Sequence, residues 1–273
     1  MVKDTAVLKP LDASPRSGDV GSLLRGLKVF EALAASPDGA SPQDLLRTTD
    51  LDRSTLQRLL RTLVTAGYAE RLARGRYAIA TQALSLGVRL TQSHHLGRVS
   101  RPYLLELQRD VDETVNLAVL DGTEVVYAAR LATGQILSMN IDIGSRLPAY
   151  CTSLGRAILA YMPSDQARAV LERSDRQQFT PKTKTDIDEL MAELERIRTR
   201  GFAYTEAELE LGLHSVAAPV RGAGGVVLGA INVSVPAARV TGAELRKEMA
   251  PPLLRVADAF SVDLGWEREK GKG

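Results

Sequence analysis

Between residues 52 and 63 the chain reads DRSTLQRLLRTL, with Leu56, Leu59, Leu60 and Leu63 at i, i+3, i+4 and i+7. That spacing lines one side of an α-helix. The other side carries Ser54, Thr55, Gln57, Arg58, Arg61 and Thr62, and no carboxylate follows Asp52 until Glu70. A helical period also runs through 22–35, with Ser22 expected as its N-cap and Leu23, Leu24, Leu27, Phe30 and Leu33 expected to face inward. Pro37-Asp38-Gly39 stops it. Ser41-Pro42 opens a short third helix with Ser as cap and Pro at its first position, and Thr49-Asp50-Leu51 turns from it into the 52–63 segment. Helix, short turn and a basic second helix make a helix-turn-helix. The bland alternative, an amphipathic surface helix, has the same leucine stripe, so the flanking sequence has to decide.

Gly67 ends the basic helix, and strand-like pieces follow at 68–72 and 76–80. Ala73-Arg74-Gly75 joins them, with Gly75 able to take positive φ. A hairpin behind a helix-turn-helix is a wing, and Arg71, Arg74 and Arg76 would set its tip against phosphate or the minor groove. Segment 81–96 has Leu84, Leu86, Val88 and Leu90 nearly all round, which predicts a linker helix with a dimer contact. His94 and His95 end it. Adjacent helical residues point about 100° apart and rarely bind one ion, so these are expected to be solvated or hinge residues.

From Gly97 the pattern changes to mixed α and β. A helix at 100–111 leads to alternating strands at 115–120, 124–131 and 136–141, with Asp121-Gly122-Thr123 between the first two. Helices are expected at 153–160, 164–173 and 187–200, the last stopped by Gly201, and strands at 202–206, 215–220 and 226–235. Thr241 caps a final helix to about 264, interrupted by Pro251-Pro252. Helices packed on an antiparallel sheet form an α+β domain. No GxGxxG follows the first strand and no GxxxxGK[ST] occurs, so neither a dinucleotide fold nor a P-loop is supported.

Length and charge sharpen this picture. At 273 residues there is room for two domains: an arm at 1–20, a winged helix-turn-helix at 21–80, a linker helix at 81–97 and a larger domain at 98–273. The net charge of +2 conceals an asymmetry, because Arg53, Arg58, Arg61, Arg71, Arg74, Arg76 and Arg89 face only Glu70 between residues 53 and 89. Local excess of that kind is the footprint of a phosphate-binding surface. The single cysteine, Cys151, excludes an internal disulfide and a cysteine-based metal cluster. No run is long enough to span a membrane and the start lacks an apolar signal core, so a cytoplasmic protein without membrane attachment, metal or cofactor is expected.

The segments SLLRGLKVFEALA and DRSTLQRLLRTLVTAGY, the hairpin, and GSRLPAYCTSLGRAILA together resemble the IclR family of bacterial transcription regulators, from about Gly21 to the final helix. The third segment is similar to the branch that senses aromatic acids or their breakdown products. Asp50 and Asp52 depart from the glycine and proline often found there, though Asp tolerates a left-handed backbone. The resemblance implies an N-terminal winged helix, a C-terminal effector domain related to GAF sensors, and a homodimer or dimer of dimers on a double-stranded operator. It does not imply an enzyme.

By resemblance the effector site lies in three segments: Ala149 to Gly155 (with Tyr150, Thr152, Ser153 and Leu154), Thr205 through Ser215, and Asn232 with Ser234. Family members often carry an acid and a cysteine where Thr205 and Ser215 stand. Thr152, Ser153 and the free N–H groups of a helix start suit an anion, with Arg146 just upstream, although any helix start needs such a cap. Asn232 and Ser234 share a strand face that is either a cavity wall or solvent-exposed. His214 either bonds a carboxylate or phenol, or caps the sheet edge. The competing classes are an enzyme using Cys151, which lacks a positioned base, and a ligand-free dimerisation module. The expected ligand is a small organic acid, with Tyr150 and Leu154 covering its body.

Overall fold

The computed structural model describes residues 19–83, 85, 86, 95–133 and 141–267. The chain forms two compact units that divide between Ser93 and His94.

In the first unit, α1 (Gly21–Ala34) starts after Val20 without a side-chain cap. Ser22 lies within the first turn, and the N–H groups of Leu23 and Leu24 bond the Val20 carbonyl instead. The inward stripe also differs from expectation. Val29 and Leu33 are buried, while Leu23 and Leu27 are 62% and 40% exposed. The apolar arc of α1 is wider than one core needs: Val29 and Leu33 join the cluster of Leu45, Leu56 and Leu60, while Leu23 and Leu27 stay outside it. Ser41 and Asp44 close a reciprocal capping box on α2 (Pro42–Thr49). Asp50 then takes φ +52°, the left-handed turn conformation expected of it. α3 (Arg53–Thr65) follows with Asp52 as its N-cap, and Gly67 at φ +77° ends it.

The wing is β1 (Ala69–Arg71) paired antiparallel with β2 (Tyr77–Ile79) around a turn at 73–75. Both Arg74 and Gly75 are left-handed there. Ala40 and Tyr77 exchange both backbone hydrogen bonds, tying the wing to the loop before α2. Gly39 is required at that junction, since at φ +75° a Cβ would lie 2.7 Å from the Tyr77 carbonyl. Of the expected linker helix, residues 81–83, 85 and 86 are helical; Leu84, Val88, Leu90 and His94 lie outside the described residues.

In the second unit the helix expected at 100–111 starts earlier, as α4 (His95–Val111), and runs through Pro102. Its six-stranded sheet has the order β5-β4-β3-β8-β7-β6, every neighbour antiparallel. The strands are β3 (Thr114–Asp121), β4 (Glu124–Leu131), β5 (Arg146–Pro148), β6 (Ala203–Glu206), β7 (Leu213–Arg221) and β8 (Val227–Pro236). The strand expected at 136–141 falls almost wholly outside the described residues.

Period-two alternation sends Val115, Leu117, Val216, Ile231 and Val233 to a face covered by α4 and α8 (Ala250–Asp263). Ala118, Ala203, Ala217 and Ala230 point to the other face, against α5 (Ser153–Ala160) and α7 (Ile187–Arg200), with α6 (Ser164–Arg173) outside them. Small side chains on that face let α5 sit close to the sheet, and every residue of α5 is buried. Gly155 faces the preceding turn, where a Cβ would lie 2.2 Å from the Ala149 carbonyl oxygen. Before α8, Thr241 and Glu244 form a capping box and a π-helical turn spans Leu245–Met249. Pro251 and Pro252 have no N–H for the α-helical ladder, so the register changes just ahead of them.

Candidate nucleic-acid and effector sites

α3 buries Leu56 and Leu60 and leaves Arg53, Ser54, Gln57, Arg58 and Arg61 exposed. Ser54, Gln57, Arg58 and Arg61 fall at i, i+3, i+4 and i+7, one outward stripe of two guanidiniums, an amide and a hydroxyl. Asp52 sets the start of this stripe. Its Oδ1 accepts from the Ser54 hydroxyl at 2.6 Å and from the Thr55 N–H at 2.9 Å. Those bonds, the Ser54 one foremost, hold its carboxyl well below the usual carboxylate range. Thr55 lies off this stripe: with Leu59, Thr62 and Leu63 it lines a groove shared with Leu23 and Leu27 of α1, at whose edge Arg58 also sits. Arg71 and Arg74 are exposed on the wing. Arg76 is turned back, donating from Nη2 to the Gly39 carbonyl at 2.6 Å, so its first role is to anchor the wing.

In the second unit, register assembles what the sequence keeps far apart. Thr205, Ser215, Ser234 and Thr114 stand directly opposite one another on β6, β7, β8 and β3. The next row along the same face is Ala217, Asn232, Asn116 and Arg130. A hydroxyl row therefore adjoins an amide pair and a guanidinium, on a face otherwise built from alanines with Val125 and Tyr127 on β4. All but Arg130 are buried. Arg130 Nη1 donates to Asn116 Oδ1 at 3.0 Å, and Asn116 Nδ2 donates to Asn232 Oδ1 at 2.8 Å. Asn232 Nδ2 donates to Ser215 Oγ at 2.8 Å and to Ser234 Oγ at 3.0 Å. Ser153, at the first position of α5, meets Ser215 with their Oγ atoms 2.7 Å apart. The Asn232–Ser234 face is thus enclosed, and the solvent-exposed alternative is excluded.

Other expected residues do different work. Arg146 leaves this group: its guanidinium pairs with Glu124 at 2.9 Å and Asp121 at 2.7 Å across the sheet edge. Thr152 accepts from the Gly155 N–H at 3.2 Å and donates to the Pro148 carbonyl at 3.0 Å, so it is the plain helix cap. The hydroxyl of buried Tyr150 donates to the Gln177 carbonyl at 2.5 Å, and Leu154 is wholly inside the core. Gly155 is required by close packing against Ala149. His214 points its Nδ1 at the Val240 carbonyl at 3.0 Å, fastening the loop after β8; since a carbonyl only accepts, Nδ1 carries the proton.

Sequence reasoning missed four residues of consequence. Asn116 and Arg130 complete the polar rows. Arg156 and Glu208 form a buried two-point ion pair at 2.6 and 2.5 Å, with Arg156 Nε donating to the Tyr150 carbonyl at 2.7 Å. Glu208 thereby fixes the loop that carries the chain into β7. Cys151 offers no nucleophile, because burial pushes its thiol up to about 12 and leaves no thiolate near neutrality. Among the described residues no group of three or more His, Cys, Asp or Glu side chains could hold a metal ion, and no helix is long and apolar enough to cross a membrane.

Known proteins share this organisation. Residues 22–73 match the model of the IclR helix-turn-helix domain, and residues 88–262 match that of the bacterial transcriptional regulator IclR C-terminal domain. The chain is 36% identical to the Pca regulon regulatory protein of Pseudomonas putida, over 91% of this chain and 89% of that one. A transcriptional regulator from Rhodococcus sp. RHA1 superposes with a TM-score of 0.80 at 39% identity, covering 90% of this chain and 99% of its own. An IclR homolog from Microbacterium hydrocarbonoxydans, solved in complex with 4-hydroxybenzoate, superposes with a TM-score of 0.77 at 26% identity, covering 89% and 99%. Both units match in chain order, the basic helix within one model and the polar rows within the other, and the chain belongs to the IclR family of bacterial transcription regulators.

Proposed function

We propose that this regulator binds a double-stranded operator through α3 and the wing, and that a small organic acid seated on the polar rows of the second unit controls that binding. The observation that carries the proposal is the buried assembly of Ser153, Thr205, Ser215, Asn232, Ser234 and Asn116 on an otherwise apolar face. Buried polar groups converging beside apolar walls are what a small-molecule site requires. An aromatic acid or a dicarboxylate from its breakdown is the favoured ligand class, supported by the relative that regulates the Pca regulon and the neighbour holding 4-hydroxybenzoate. Gln57 and Arg58 read base edges, with Arg53, Ser54 and Arg61 beside them, while Arg71 and Arg74 supply phosphate contacts.

The working organisation is an arm at 1–20, a winged helix-turn-helix at 21–80, a linker at 81–97 and an effector domain at 98–273, acting in the cytoplasm as a homodimer or dimer of dimers. Support for self-association comes from the exposed Val20 just before α1 and Leu23 and Leu27 on it. Calorimetry on the full chain with 4-hydroxybenzoate and protocatechuate tests the effector reading. Saturable binding that is lost in the Ser153→Ala, Asn232→Ala double variant supports it. Equal binding by parent and double variant removes the site from these rows.

A further inference from the structure

Arginines in the second unit that are buried or half-buried are almost all matched to a carboxylate. Arg146, Arg156, Arg198, Arg200, Arg221 and Arg246 each pair with one. Among the described residues two half-buried arginines lack such a partner, Arg130 and Arg176. Arg176 is consumed by the carbonyls of Leu171, Glu172, Ser174 and Thr185. Arg130 makes one hydrogen bond there, to the neutral amide of Asn116 at 3.0 Å. A guanidinium has five N–H donors in a fixed fork, so most of its capacity is unspent. Holding a cation half out of water without a counter-charge is costly.

Its placement depends on one irregularity. Between Asp121↔Glu124 and Ala118↔Tyr127 the hairpin is regular, and a bulge then shifts the register between Leu117 and Ala118. Without that bulge Ala129 would oppose Asn116, and Arg130 would lie on the opposite face, against the α4 and α8 core. With it, Arg130 opposes Asn116 on the polar face. Bulges re-aim side chains in this way beside functional sites.

The guanidinium also sets the direction of the whole network. It can only donate, so Asn116 must present Oδ1 to it and Nδ2 to Asn232. Asn232 must then present Nδ2 to Ser215 and Ser234, whose oxygens accept. The hydroxyl protons at the far end are left to donate onward. Both ends of the chain are therefore donors, the arrangement an anionic ligand needs.

We infer that Arg130 is the residue that recognises the effector's carboxylate, with the bulge at Leu117/Ala118 placing it and the Asn116–Asn232 pair carrying its polarity to the serines. This rests on the effector site proposed above and names its charge-reading group. It moves that role away from the start of α5, where the Thr152 hydroxyl is already committed as a cap.

The test compares an acid with its neutral ester on the full chain, using 4-hydroxybenzoate and methyl 4-hydroxybenzoate in calorimetry. The parent protein should favour the acid. Arg130→Met should weaken acid binding at least tenfold, leave the ester within about threefold, and collapse the preference; Arg130→Lys should restore part of it. The melting temperature of Arg130→Met without ligand should equal or exceed the parent's, because the lost group is an unmatched cation. A preserved acid-to-ester ratio in both variants overturns the inference while leaving the site intact. Loss of the ratio in Ser153→Ala but not in Arg130→Met returns the carboxylate to the helix start and overturns it too. If the parent binds neither probe nor protocatechuate, the effector reading itself falls, and this assignment with it.

Discussion

The pair Arg156–Glu208 carries the largest single energetic expectation in the molecule. Its side chains are 1% and 7% exposed and meet in two nearly parallel bonds of 2.6 and 2.5 Å. Glu208 Oε2 also accepts from the Lys184 N–H at 3.1 Å, and the Thr180 and Thr183 hydroxyls hold the adjoining carbonyls of Ala207 and Glu208. Glu208→Gln keeps the shape and deletes the charge, leaving a buried guanidinium uncompensated. Removing one partner of such a pair costs about 3–5 kcal/mol, which in a unit of this size lowers the melting temperature by roughly 6–20 °C. Replacing both, Arg156→Met with Glu208→Leu, should recover much of the loss, since the desolvation of two charges disappears as well. Trp266 is the chain's one tryptophan and is 9% exposed, so urea denaturation followed by its fluorescence reports on this unit. A Glu208→Gln variant within about 1 kcal/mol of the parent would refute the reasoning, as the pair would then lack the low-dielectric surroundings that make it costly to break.

Arg58→Ala should cost about 1–3 kcal/mol on the operator and relax discrimination at one base step; anisotropy titrations against single-base operator variants measure it, and equal loss on every sequence would reduce Arg58 to a phosphate contact. Arg74→Ala should weaken specific and non-specific binding alike and lower the salt dependence by about 0.9 per lost phosphate contact, whereas an unchanged slope would take the wing tip out of the interface. Cys151 should resist alkylation in the native protein at pH 8 and react only at the rate of unfolding. Because its folded value is raised to about 12, its contribution is complete below the ordinary thiol value of about 8.5 and is lost as the pH climbs toward the folded one. A stability curve flat from pH 8 to 11 would show that the thiol is hydrated.

The winged helix was legible because local signals write it: the leucine stripe of α3, the Ser41-Pro42 start, Asp50 in the left-handed turn and Arg74-Gly75 at the hairpin tip. Ile187 to Gly201 was legible for the same reason, with a cap at one end and a left-handed glycine at the other. The inward side of α1 was not, because its apolar arc offers two stripes and only packing against Leu45, Leu56 and Leu60 decides between them. The effector rows were half legible. Period two marks Asn232 and Ser234 as neighbours, but pairing β8 with β3 across more than a hundred residues is a tertiary fact. Arg130 was hidden by the bulge, which reverses the face any regular hairpin would give it. Arg146 looked like an anion partner because it precedes the helix start in sequence; the antiparallel pairing of β5 with β4 instead sets it beside Glu124 and Asp121.

Operator affinity measured with and without 4-hydroxybenzoate shows whether an acid on the sheet is coupled to DNA bound by α3. Full-length parent protein and the Ser153→Ala, Asn232→Ala double variant are titrated against a labelled operator across a range of acid. The acid should shift the parent's affinity by about 5–150-fold, corresponding to roughly 1–3 kcal/mol of coupling. The double variant should bind the operator as the acid-free parent does, at every acid concentration. A double variant that still responds to the acid like the parent would contradict that coupling.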